Sequence, residues 1–249
     1  MTTTTHPAAK VAIVTGASRG IGAAIARRLA HDGFTIVVNY AGNAAAAEAV
    51  VTDIEQSGGR AVAHQADVAD AAAVARMFES VEAAFGRIDV AVNNAGIMKL
   101  SRLIDADDAG IDATIAVNLK GSLNVMREAA RRLGDGGRIV NFSTSVIGLR
   151  LETYGVYAAT KAAIEALTGV LAKELRGRSI TVNAVAPGPT ATDLFLTGKS
   201  DELIDRMAKM NPLERLGTPE DIAAAVAFLV GPDGGWINGQ VIRANGGML

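Results

Sequence analysis

Thr15-Gly16-Ala17-Ser18-Arg19-Gly20-Ile21-Gly22 stands between a short Val/Ile run, Val11–Thr15, and an Ala-rich segment of helical periodicity, Ile21–His31. That placement decides the reading. Gly16 suits a tight turn that other residues resist. Gly20 lets the backbone come close to a pyrophosphate, and Gly22 lets the helix close down on the strand. The helix start offers free N–H groups and the positive end of its dipole to phosphates. Three glycines alone make only a turn, but between a first strand and a first helix they mark a nucleotide-binding turn.

Outward from this turn the pattern repeats. Apolar runs at Thr35–Asn39, Ala61–Gln65, Ile88–Val92, Ile139–Ser143, Thr181–Ala186 and Gln240–Arg243 are mostly four to six residues long. Most carry apolar side chains on both faces, as strands buried inside a parallel sheet do. Helical periodicity fills the gaps at Ala44–Gln56, Ala71–Phe85, Ile111–Leu133, Tyr154–Arg176 and Pro219–Val230. The alternation predicts an α/β chain of one domain, 10–249: a doubly wound, seven-stranded parallel sheet with helices on both faces, the Rossmann fold. Residues 1–9 read as a polar tail. The connection at about 188–218 has little periodicity beyond one or two short helices around Asp201–Met210, and suits a substrate loop.

Composition narrows the function. Among 249 residues, 49% are hydrophobic and 20% charged, with a formal net charge of −2. No basic field is available for nucleic acid or for an anionic membrane surface. There is no cysteine, and the three histidines are scattered, so no metal site is expected. No segment approaches the length of a membrane span, and a cytoplasmic location is expected.

The end of the second strand selects the nucleotide. A carboxylate there would bind a ribose 2′-hydroxyl and repel a 2′-phosphate. Asn39-Tyr40-Ala41-Gly42-Asn43 contains none, while Arg19 in the glycine turn offers a guanidinium that matches phosphate. NADP(H) is expected over NAD(H), which remains the alternative. Further on, Tyr157 and Lys161 are four apart at the start of a helical pattern and share one face. An ammonium one turn away is expected to lower the phenol's pKa toward the range of a general acid.

Taken together, Thr15–Gly22, Asp67-Val68, Asn93-Asn94-Ala95-Gly96, Asn118, Ser145, Tyr157–Lys161 and Pro187-Gly188 followed by Thr192 resemble, in order and along nearly the whole chain, the classical branch of the short-chain dehydrogenase/reductase family. The resemblance implies that Tyr157 exchanges a proton with a carbonyl or alcohol oxygen, that Ser145 holds that oxygen, and that Lys161 binds the nicotinamide ribose. It implies that Asn118 kinks its helix and holds a relay water. Asp67 and Val68 would meet the adenine. Gly16, Ser18, Arg19, Gly20, Ile21, Gly22, Asn39, Tyr40, Asn94, Ala95 and Gly96 would line the cofactor, with Tyr157, Lys161, Pro187, Gly188 and Thr192 at its nicotinamide end. Of the two nearby serines, Ser145 fits the family's Ser-x-x-Gly pattern through Gly148 and Ser143 does not. Ser145 stands 12 residues before Tyr157, one fewer than is usual in the family, as if the loop Leu149–Thr153 were trimmed.

Ile147, Leu149, Tyr154, Leu194 and Phe195 are the candidate substrate wall, together with Ile97, Met98, Val146, Leu151 and Met207. An apolar wall suits a ketone or 3-oxoacyl compound better than a phosphorylated sugar. The alternative is an alcohol or sugar dehydrogenase working in the oxidative direction. A nucleotide sensor without turnover would be expected to have lost Tyr157, Lys161 or the serine, and all are present. The family resemblance further implies a homotetramer built on Ile111–Leu133, Tyr154–Arg176 and the C-terminal segment. Arg178 would suit an acyl carrier protein, but docking an acidic carrier needs a clear positive patch, which is not evident.

Overall fold

The computed structural model describes residues 9–249, so the expected tail lies, apart from Ala9, outside the described residues. Seven parallel strands form one sheet in the order β3-β2-β1-β4-β5-β6-β7. They are β1 (Val11–Val14), β2 (Thr35–Tyr40), β3 (Arg60–Gln65), β4 (Val90–Asn93), β5 (Arg138–Phe142), β6 (Thr181–Pro187) and β7 (Val241–Ala244). Alternation along β1 feeds both faces of the sheet. Ala12 and Val14 join a core with Ile25, Leu29, Ile54, Ile222 and Val226. Val11 and Ile13 join the opposite one, with Met77, Phe78, Val125, Ile139 and Val182. The first face is covered by α1 (Gly20–His31), α2 (Ala44–Gln56) and α10 (Pro219–Val230), the second by α3 (Ala71–Phe85), α5 (Ser122–Arg132) and α7 (Gly155–Glu174).

The ends of these elements are set by local chemistry. Asp70 caps α3 by accepting from Ala72 and Ala73 N–H, and Gly86 ends it at φ 72°. Thr218 and Asp221 form a reciprocal capping box on α10, with Pro219 behind the cap. The helix expected from Ile111 starts earlier, as α4 (Asp108–Thr114), because Asp107 accepts from Gly110 N–H at 2.6 Å. A π-helical stretch, Ile115–Gly121, then joins α4 to α5. Two short helices, α8 (Asp193–Leu196) and α9 (Asp201–Ala208), lie in the connection after β6, and a single turn, α6 (Val146–Leu149), follows β5.

The chain leaves β1 toward β2 and β3, then returns to place β4 on β1's other side. Loops at the carboxyl ends of β1 and β4 therefore diverge and leave a crevice, the place where open α/β sheets bind ligands. Among the described residues no helix is long and apolar enough to cross a membrane.

Candidate active site

Two adjoining cavities open at the carboxyl edge of the sheet. The larger, about 520 Å³, runs from the glycine turn past the ends of β2, β3 and β4. The smaller, about 140 Å³, lies between β5, α7 and the segment after β6. Asn94, Gly96, Thr192 and Leu194 line both.

The larger cavity passes the test for a dinucleotide. Gly16 and Gly20 stand at φ +62° and +54°, a region that disfavours side chains. A Cβ on Gly20 would stand in ordinary contact with Thr192 Cγ2 at 3.5 Å, on the wall of this cavity. The α1 N-terminus carries no side-chain cap. Its first N–H groups thus remain available to an anion. Gly22 serves packing: a Cβ there would lie 2.4 Å from Gly16 O and 2.6 Å from Asn94 Nδ2. Gly22→Ala is expected to lower stability by about 1–3 kcal/mol, the usual cost of overpacking, and to weaken nucleotide binding; a thermal melt with an NADPH titration checks both.

Ser18, Arg19, Ile21, Tyr40, Asp67, Val68 and Ala95 all line this cavity. Asp67 and Asp193 are the carboxylates in its wall, and neither belongs to the rim segment from Asn39 to Asn43. Asn39 and Asn94 also line it, but their amides are committed to the protein. Asn39 accepts from Gly16 N–H at 3.3 Å and donates to His64 O and Ala66 O. Asn94 donates to Thr15 O and Gly16 O at 2.9 and 3.2 Å. Both hold the glycine turn in shape.

Tyr157, Lys161, Pro187, Gly188 and Thr192 meet in the smaller cavity. Lys161 is buried, donates to Phe142 O at 2.9 Å, and places Nζ 5.9 Å from the Tyr157 ring centroid. Tyr154 packs edge-on to Tyr157, with ring centroids 6.3 Å apart. Asn118 accepts from Ile97 N–H and donates to Ile97 O, both at 2.8 Å. It sits within the π-helical stretch, a feature that often marks functional sites.

Three expectations need correction. First, the Tyr157 phenol is not lowered; burial pushes it up to about 12, and the Thr144 hydroxyl beside it only partly opposes this. Enclosure dominates: the Lys161 ammonium is turned toward Phe142 O at 2.9 Å, and burial lowers its own pKa to about 8. Second, Ile147 does not line this cavity. Val146 and Leu149, three apart on α6, face inward, and Ile147 falls on the other side, in a groove with Arg150 and Ala158. Third, Arg178 is not free for a carrier: it donates to Ala130 O and Leu133 O at the C-terminal end of α5.

Leu149, Tyr154, Leu194 and Phe195 line the smaller cavity with Ile97, Met98, Val146, Leu151 and Met207. Ser145 lines it too, but its hydroxyl donates to Ala186 O at 3.2 Å and accepts from Asn245 Nδ2 at 3.0 Å. Thr144, a residue the sequence reading passed over, lines the same cavity as the phenol. The one signal for it was the short separation between Ser145 and Tyr157.

This fold and this Tyr–Lys site define an oxidoreductase: the chain belongs to the short-chain dehydrogenase/reductase family. A family profile described as Enoyl-(Acyl carrier protein) reductase matches residues 16–249. A short-chain type dehydrogenase/reductase of Picea abies is 47% identical over 250 residues, covering 96% of this chain and 92% of the relative. An NADPH-dependent aldehyde reductase-like chloroplastic protein of Arabidopsis thaliana is 44% identical, covering 97% and 95%. A crystal structure of a short-chain dehydrogenase from Burkholderia cenocepacia J2315 in complex with NADP superposes with a TM-score of 0.91 at 44% identity, covering 96% of this chain and 97% of that one.

Proposed function

We propose that this chain reduces an apolar ketone, aldehyde or 3-oxoacyl carbonyl to the alcohol with NADPH. One observation carries the reading: Tyr157 faces an apolar pocket, beside the buried Lys161, where that pocket meets the cavity of the glycine turn. A phenol holds its proton at neutral pH, the form that carbonyl reduction needs.

When bound, the nicotinamide supplies the two-electron reducing equivalent that protein side chains lack. The chain does the rest. The apolar walls at Ile97, Val146, Leu149 and Tyr154 hold the carbonyl compound and exclude water. The Tyr157 O–H donates its proton to the carbonyl oxygen as charge develops there. Lys161 carries a cation into this enclosure, where its field on that oxygen is weakly screened. Asn118, through its paired bonds to Ile97, fixes the loop after β4 against the helix that follows.

The preference for NADPH rests on Arg19 at the cavity rim and on the carboxylate-free stretch from Asn39 to Asn43. The NADP bound by the Burkholderia relative and the NADPH named for the Arabidopsis one support it. The face of α7 bearing Ala158, Ala159 and Ala162 lines an open groove and suits close approach of a second copy, consistent with a homotetramer.

The test is a panel of acetophenone, diacetyl, pyridine-3-carbaldehyde and an acetoacetyl thioester with NADPH and NADH, and the corresponding alcohols with NADP and NAD. Turnover of at least one carbonyl with NADPH, at a kcat/KM well above that with NADH, is expected. Arg19→Ala should erase about tenfold of that preference, the worth of one charge-assisted contact. Activity confined to alcohols, or a preference for NADH, would overturn the reading.

A further inference from the structure

Tyr157, Lys161, Glu165 and Thr168 follow one another at helical spacing and form a single stripe along α7. The last three each bond a residue at the carboxyl end of β5 or just past it. Lys161 donates to Phe142 O at 2.9 Å. Glu165 Oε1 accepts from the Ser143 hydroxyl at 2.6 Å. Thr168 Oγ1 accepts from Asn141 Nδ2 at 3.0 Å. Consecutive residues of the strand, Asn141 to Ser143, thus hold consecutive turns of the helix.

This polar ladder matters because apolar packing does little to stop α7 from sliding along the strand. Of the fully buried residues on α7, Ile164 alone is apolar; the others are Thr160, Lys161 and Thr168. Apolar burial is non-directional, whereas hydrogen bonds are held to narrow distances and angles. Among the three bonds, that of Lys161 belongs to the catalytic pair itself, and Thr168 and Asn141 lie deep in the core. The Ser143–Glu165 bond stands between them. It is short and runs to a carboxylate, the stronger kind of acceptor. Ser143 N–H separately bonds Val185 O at 2.8 Å, so the strand end stays in the sheet without its hydroxyl. The hydroxyl is a tie to α7. Ser143 lines the catalytic cavity, and Glu165 itself stands outside that wall.

We propose that Glu165 is a positioning residue for carbonyl reduction: through Ser143 it fixes the register of α7 along β5, and so the place of the Tyr157 phenol in the cavity. The assignment rests on the carbonyl-reduction reading above. Glu165 lies two turns beyond Tyr157, about 12 Å along the helix, and exchanges neither proton nor electron with the ligand. It acts by geometry, and a misplacement of about 1 Å at the reacting atoms can cost about 10²-fold in rate.

Glu165→Leu, Glu165→Gln, Ser143→Ala and the Ser143→Ala/Glu165→Leu double variant, assayed with the panel's best carbonyl and NADPH, test this. Glu165→Leu should lower kcat about tenfold, within the range a small misplacement produces. Its Kd for NADPH, by fluorescence titration, should stay near wild type. Glu165→Gln keeps an oxygen that accepts from Ser143 and should hold kcat within about threefold of wild type. Ser143→Ala should match the loss in Glu165→Leu, and it carries the test alone if Glu165→Leu fails to fold. The double variant should be no slower than either single one, because both remove the same bond. If Ser143 acted on the ligand directly, Glu165→Leu would free its hydroxyl and spare kcat. A Glu165→Leu enzyme with wild-type kcat, a Glu165→Gln enzyme as slow as Glu165→Leu, or losses that multiply in the double variant each overturn the assignment while leaving carbonyl reduction standing. A wild-type chain inactive on every carbonyl overturns both.

Discussion

Tyr157→Phe is expected to lower kcat for carbonyl reduction by roughly 10²–10⁴-fold, the contribution of one positioned general acid, while the Kd for NADPH stays within about twofold. The substitution removes one oxygen from a phenol whose neighbours are Tyr154, Thr144 and the apolar wall. The larger cavity, which holds the glycine turn, is not touched. Steady-state kinetics and NADPH fluorescence titration on the same preparation separate the two effects. Retention of more than a tenth of wild-type kcat would mean that the proton comes from elsewhere.

Lys161→Met should produce the opposite pairing, a more stable protein with almost no turnover. Burial drives Lys161 from 10.5 down to about 8, so below about pH 8 the fold holds an ammonium that it disfavours. That shift corresponds to about 3 kcal/mol. Because the folded value lies below the unfolded one, the penalty is full at neutral pH and fades as pH rises from about 8 to 10.5. Losing the bond to Phe142 O returns about 1 kcal/mol of cost. The net gain should raise the melting temperature of the ligand-free protein by about 5 °C at pH 7, with the gap to wild type closing by about pH 10. Melts at both pH values, with kcat falling at least 100-fold, check the prediction. A lower melting temperature at pH 7 would show that the ammonium is better solvated than its burial implies.

Such a trade of stability for chemistry is common at functional sites, and it bears on what the sequence could reveal. The strands, the glycine turn and the Tyr–Lys spacing were legible because each depends on local pattern. Val11–Val14 reads as a central strand from its own side chains, and Gly22 reads as a packing glycine from its place after the turn. The phenol's high pKa was not legible, because it depends on how completely α7, β5 and the segment after β6 close around Tyr157. Nor was the outward turn of Ile147, which follows from where the single turn of α6 begins. Arg178 looked like a docking charge until the end of α5 was seen to consume its donors. The family resemblance implied a kink at Asn118, but not its form: Ile115–Gly121 continues an ordinary helical periodicity, and the widened turn shows only in the backbone.

That widened turn has a consequence for how this stretch tolerates length changes. A π turn is in effect an α-helix that has absorbed a surplus residue. Each residue in a regular α-helix advances the side chains by about 100°. Shortening Ile115–Gly121 by one position would relax the backbone into an uninterrupted α-helix and swing Asn118 away from Ile97. The more regular chain would be the less competent one, so at this position the sequence can lengthen or shorten only by sacrificing the alignment that Asn118 provides.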